Sequence, residues 1–158
     1  MKMKDLENYQ IDDLDKKILH SLMKNARTAY AELAKTYSVS PATIHVRVEK
    51  MRQTGIIEGV HVHINPKRLG YDVCCFIGIT LNHAKDYQSA LKKLEDLEEV
   101  IEAYYTIGHH FNIFIKVMCQ SIDALQQLLV NKIQLIEEIH STETLISLQN
   151  PIMRSVTP

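Results

Sequence analysis

The sequence predicts an α+β fold in two parts, and three observations predict it. Residues 11–55 carry the apolar spacing of helices interrupted by short polar breaks, and residues 71–148 alternate strand-like apolar runs with helical ones. Between these textures lies Asn65-Pro66-Lys67-Arg68-Leu69-Gly70, whose proline and glycine are turn and linker signals. The expected organisation is a first domain over 1–64, a linker over 65–70 and a second domain over 71–158. A chain of 158 residues has room for one compact domain or two small ones.

The first helix is expected over Asp13 to Lys24, where Leu14, Ile18, Leu19, Leu22 and Met23 form one apolar stripe. Asp12 and Asp13 stand at its start, where acids favour the helix dipole. A second helix is expected from about Ala29 to Thr36, burying Ala31, Leu33, Ala34 and Tyr37. Ser38-Val39-Ser40 then makes a tight turn. Ser40 is a good N-cap and Pro41 a good first helical residue, so a third helix begins there and ends at Gly55. Ile44, Val48 and Met51 face its core. Ile56 to Ile64 alternates Val60, Val62 and Ile64 with His61 and His63, the pattern of a strand with one solvated face.

Three short helices with a tight turn before the third, then a strand, outline a winged helix-turn-helix. In that arrangement the third helix lays the side opposite its apolar stripe into the major groove of DNA. Ala42, Thr43, His45, Val46, Arg47 and Lys50 are then the exposed positions. Thr43 and His45 suit base edges, Val46 a thymine methyl, and Arg47 a guanine or a phosphate. Lys35, Lys50 and Arg52 are placed for phosphates, and Ser40 starts the reading helix. The net charge of −1 hides an asymmetry: from Ala26 to Gly55 there are five basic residues against two acidic ones.

The second part reads strand, helix, strand, strand, helix, strand. Val73–Leu81 is a near-continuous apolar run, and Tyr87–Leu97 is a helix with Leu91, Leu94 and Leu97 on one side. Val100–Ile107 and Asn112–Met118 are strands joined by a turn containing Gly108. Ile122–Ile136 is a helix and Ile139–Leu148 a last strand, with Thr142 and Thr144 on the face opposite Leu145. The order βαββαβ is ferredoxin-like, with both helices on one face of an antiparallel sheet. Apolar residues on both faces of the central strands require a cover for the other face. A second copy of the chain is the expected cover, hence a homodimer.

Several functions are excluded by what the sequence lacks. No run of eighteen apolar residues exists to cross a membrane. Met1 to Asn8 is polar, with no apolar signal region, and Cys74, Cys75 and Cys119 make a poor disulfide framework, so a reducing cytoplasm fits best. No Cys/His/Asp group has zinc spacing, so no metal is expected, and no cofactor either. No GxGxxG, Walker A, GxSxG or HExxH motif is present, which argues against an enzyme. The rival reading from these residues is an amino-acid-binding module or small metabolic enzyme of ferredoxin-like fold that does not touch DNA.

The stretches NARTAYAELAK (25–35), SPATIHVRVEKMRQTGII (40–57), NPKRLGYDV (65–73), EAYYTIGHHFNIFIKVMC (102–119) and STETLISLQNPIMR (141–154) resemble the Lrp/AsnC, or feast/famine, family of transcription regulators. The resemblance spans essentially the whole chain and is strongest to asparagine-responsive members. It implies a winged helix-turn-helix and a βαββαβ ligand domain that dimerises through its sheets and assembles further, up to octamers. Small amino acids would bind between dimers. It further implies asparagine as effector, and an activator or repressor acting on an asparagine-synthesis gene and on its own gene. The implied effector residues are Tyr105, Thr106, Gly108, His109 and His110 around the turn, with Asp123, Gln134, Thr142 and Thr144. The family's turn runs glycine, any residue, aromatic, aspartate. Here His110 stands at the aromatic position, and no acid follows unless Asn112 replaces it.

Overall fold

The computed structural model describes residues 9–108 and 110–158. The expectation for Met1–Asn8 therefore lies outside the described residues. Two compact units are present: residues 1–63 together with 154–158, and residues 64–153. Among its described residues the first contains three helices, α1 (Asp13–Lys24), α2 (Tyr30–Thr36) and α3 (Pro41–Gln53).

Helix α1 starts on a reciprocal capping box. The Asp12 carboxylate accepts from the Asp15 amide, and the Asp15 carboxylate accepts from the Asp12 amide. Ile18 and Leu19 are buried, Leu14 and Leu22 half-buried, and Met23 lies exposed at the edge of the expected stripe. In α2 only Leu33 and Ala34 are buried; Ala31 faces solvent, because seven residues make only two turns and one inward side. The turn to α3 passes through Ser38 at φ 56°, a left-handed conformation that costs an L-residue about 1–2 kcal/mol. Ser40 then caps α3 by accepting from the Thr43 amide, with Pro41 in the first turn. Gly55, at φ 74°, ends the helix, and the Ile57 amide returns to the Met51 carbonyl at 3.0 Å. Ile18, Leu33, Ala34, Ile44, Val48 and Met51 form this unit's core.

The strand expected over Ile56–Ile64 does not form: among the described residues this segment has no sheet partner. Val60, Val62 and Ile64 remain exposed. Alternation marks a segment fit to be a strand, but a strand exists only when a neighbour supplies the other half of its hydrogen-bond ladder.

The second unit begins with a single 3-10 turn over Pro66–Leu69, capped by Asn65 and closed by Gly70 at φ 87°. Then follow β1 (Val73–Leu81), α4 (Tyr87–Glu95), β2 (Val100–Tyr105), β3 (Ile113–Cys119), α5 (Ile122–Asn131) and β4 (Ile139–Ile146). The strands form one antiparallel sheet in the order β2-β3-β1-β4. Helix α5 stops short of Ile136, because Lys132 leaves helical geometry and a 3-10 turn at Ile133–Leu135 follows. Val73, Cys75, Ile77, Ile79 and Leu81 of β1, with Ile113, Ile115, Val117 and Cys119 of β3, pack under Ala90 and Leu94 of α4 and Leu125 and Leu128 of α5. Among the described residues of this unit, the opposite face of the sheet carries no helix. Phe76 and Phe114 stack there with ring centres 5.9 Å apart, and Leu145, paired with Phe76, lies beside them.

Candidate functional site

The first candidate surface is the side of α3 away from Ile44, Val48 and Met51. Ala42, His45 and Val46 are exposed on it, Val46 to 63%. Thr43 is half-buried, and its hydroxyl lies 2.8 Å from the Ser40 hydroxyl. The His45 ring leans toward Tyr30 of α2, with centres 6.0 Å apart. Lys35 is exposed at the end of α2. Lys50 sits with its ammonium 4.2 Å from the Tyr9 ring centre, and Arg52 pairs with Glu49 one turn back at 2.8 Å. Such an exposed pair contributes little to stability.

Arg47 departs from the expectation of an outward cation. Its Nη1 lies 2.6 Å from an Asp12 oxygen and 2.9 Å from an Asp15 oxygen. Asp15 is only 1% exposed, and a buried carboxylate requires a counter-ion. The Asp15 amide and the Arg47 guanidinium hold the Asp12 carboxyl below its usual range. Both carboxylates hold the Arg47 guanidinium more firmly protonated than usual. Burial, with the Asp15 carboxylate beside it, pushes the Tyr9 phenol up to about 12. Sequence reading missed this cluster, although an acid at the cap and another three residues on is a visible capping signature.

The second candidate surface is the turn from β2 to β3. It is pinned at several points. The Thr106 hydroxyl donates to the Phe111 carbonyl at 2.8 Å, and the Thr106 amide to the Asn112 carbonyl at 2.8 Å. The Asn112 side-chain oxygen accepts from the Leu81 amide at 2.8 Å, and the Thr80 hydroxyl donates to the His110 carbonyl at 2.5 Å. Asn112 thus ties the turn to the end of β1 with the oxygen that an acid would have offered. His109 lies outside the described residues. Gly108 has no left-handed φ, and a Cβ there would meet nothing closer than 4.0 Å. Among the described residues, then, no packing contact requires a glycine at this position.

The remaining expected effector residues are spread over both edges of the sheet and the ends of α5. Tyr105 stacks on Tyr87 of α4 at 4.2 Å. Thr142 is in register with Ile79, Ile79 with Ile113, and Ile113 with Tyr105, so Tyr105 and Thr142 stand on opposite edge strands. Three strand spacings separate them, roughly 14 Å. Thr142 and Thr144 are half-buried on the helix-facing side, opposite Leu145 as expected. Gln134 is exposed in the 3-10 turn before β4. Asp123 is exposed in the first turn of α5, at the far end of β3, roughly 20 Å of strand from Gly108.

Among the described residues, no three His, Cys, Asp or Glu side chains cluster as metal ligands, and no helix is long and apolar enough to cross a membrane.

Residues 11–52 match the AsnC-type helix-turn-helix domain, and residues 74–157 match the Lrp/AsnC ligand binding domain. The chain is 70% identical to Regulatory protein AsnC of Escherichia coli K12 over 153 residues, covering 97% of this chain and 100% of that protein. It is 62% identical to Regulatory protein AsnC of Haemophilus influenzae over 150 residues, covering 95% of this chain and 99% of that one. The solved structure of E. coli AsnC superposes with a TM-score of 0.91, at 70% identity, over 95% of this chain and 100% of that one. The transcriptional regulator NMB0573 of Neisseria meningitidis, solved as an L-Met complex, shares the fold at a TM-score of 0.84 and 18% identity, over 94% of this chain and 96% of that one.

Proposed function

The chain belongs to the Lrp/AsnC family of transcriptional regulators, and from that premise we propose that it is an asparagine sensor controlling an asparagine-synthesis gene and its own gene. It is a DNA-binding regulator and not an enzyme. The reading set on DNA is Ala42, Thr43, His45 and Val46 from the start of α3. Lys35, Lys50 and Arg52 meet phosphates, and Ser40 orders the helix start.

The observation that supports the sensing site is Gly108, a glycine that no packing contact among the described residues requires. Amides at this turn suit the carboxylate of an amino acid, and the hydroxyls of Thr106, Thr142 and Thr144 are acceptors for its ammonium. His109, His110 and Gln134 suit a side-chain amide. Edge strands roughly 14 Å apart cannot close on one small zwitterion, so the site is completed between copies of the chain. This favours a homodimer, built on the open sheet face, that assembles further, up to an octamer in the cytoplasm. Asparagine shifts DNA binding only if it prefers one assembly over another.

Calorimetry against the twenty amino acids tests this reading. Heat is expected with L-asparagine, and Gly108→Val is expected to weaken it at least tenfold by blocking the main chain. Heat with leucine but none with asparagine overturns the assignment.

A further inference from the structure

Each acid at the start of α1 divides its two oxygens between its own helix and Arg47. Asp12 uses Oδ1 to accept from the Asp15 amide at 2.9 Å and Oδ2 to accept from Arg47 Nη1 at 2.6 Å. Asp15 uses Oδ2 to accept from the Tyr9 hydroxyl at 2.5 Å and the Asp12 amide at 3.1 Å, and Oδ1 to accept from Arg47 Nη1 at 2.9 Å. The Asp12 side chain is 52% exposed, whereas that of Asp15 is 1% exposed. Arg47 lies midway along α3, on the flank of the residues that meet bases.

We infer that Arg47 is a positioning residue. Its guanidinium clamps the reading helix α3 to the capped start of α1 and sets the angle at which Ala42, Thr43, His45 and Val46 enter the groove. It does not itself contact DNA. Turning outward to a guanine or a phosphate would strand the buried Asp15 carboxylate without its cation. That loss exceeds what one base contact supplies. One nitrogen, Nη1, bridges the two carboxylates, and the planar guanidinium that carries it approaches them in a fixed plane, where an ammonium on a flexible stem would fix distance alone. The inference rests on α3 being the reading helix.

The test uses the full-length chain, a duplex enriched by it from a random-sequence library, and a scrambled duplex of the same composition, titrated across salt. Arg47→Ala is expected to cut the preference for the enriched duplex at least tenfold while leaving the salt slope unchanged. Asp12→Asn, at a half-exposed position, is expected to reduce the same preference, and the double variant to be no worse than Arg47→Ala alone. Three results overturn the inference. The salt slope could fall by about one charge in Arg47→Ala, the mark of a lost phosphate contact. Asp12→Asn, which removes one of the two carboxylates that hold Arg47, could bind the enriched duplex as tightly as wild type or tighter. Both duplexes could weaken in proportion with the preference kept, the mark of a purely structural role. A wild-type chain that enriches no duplex contradicts the reading role of α3 itself, an outcome distinct from these three.

Discussion

Gly78 sits in the middle of β1 because the Phe111 ring occupies the space above it: a Cβ there would fall 2.7 Å from three ring carbons. The ring lies one residue from the Asn112 that ties the turn to β1. Gly78→Ala is therefore expected to lower stability by about 1–3 kcal/mol, read from the denaturant midpoint. It is also expected to weaken amino-acid binding by displacing the turn beside Gly108. Single residues differed in how openly their roles could be read. Ser40, Pro41 and Gly55 declare themselves, because capping and helix termination act within four residues of chain. Gly78 and Arg47 do not. The partner of Gly78 is 33 positions away, and Arg47 reaches Asp12 across 35. No local rule reports either meeting.

At the scale of elements, the start of β4 is tied to both β1 and α4. Asn82 donates from its amide to the Glu138 carbonyl and from its side chain to the Glu137 carbonyl. The Glu138 carboxylate accepts from Lys93 at 2.7 Å and from Ser89 at 2.6 Å. Lys93 first, then Ser89, holds the Glu138 carboxyl down to about 2. A carboxyl lowered in the folded state adds stability above its unfolded value, and that stability is lost as pH falls through the folded one. Glu138→Gln is thus expected to be less stable than wild type at pH 7. The gap should narrow below about pH 4.5 and vanish near pH 2, as unfolding curves across pH would record. Strands β1 and β4 and helices α1 and α3 follow the periodicity closely. The segment 56–64 does not, because its alternation describes one half of a pairing that a lone chain leaves unfilled. Helix α5 ends early for a related reason: its apolar spacing continues to Ile136, but Ile133 is buried through a 3-10 turn.

For the whole molecule, the decisive feature is the bare face of the sheet. Phe76, Phe114 and Leu145 lie there, with Glu102 and Lys116 paired at 2.8 Å beside them. Leu145 is 50% exposed in the single chain, so a charge at that position leaves the fold of one copy intact. On the proposed homodimer through this face, Leu145→Asp is expected to give monomers, seen as a lower sedimentation coefficient than wild type. An unchanged coefficient would overturn a dimer through this face. The helix-turn-helix, the βαββαβ order and the side of β4 that carries Thr142 and Thr144 were determined by the sequence alone, since period, caps and turn residues act locally, whereas the strand read over 56–64 was not. Only the tertiary structure decided that Arg47 is already held by two acids, that Asn112 pins the turn, and that Thr142 and Tyr105 stand on opposite edges. Those facts depend on which distant segments meet, and that is fixed by packing around the core rather than by any neighbourhood in the chain.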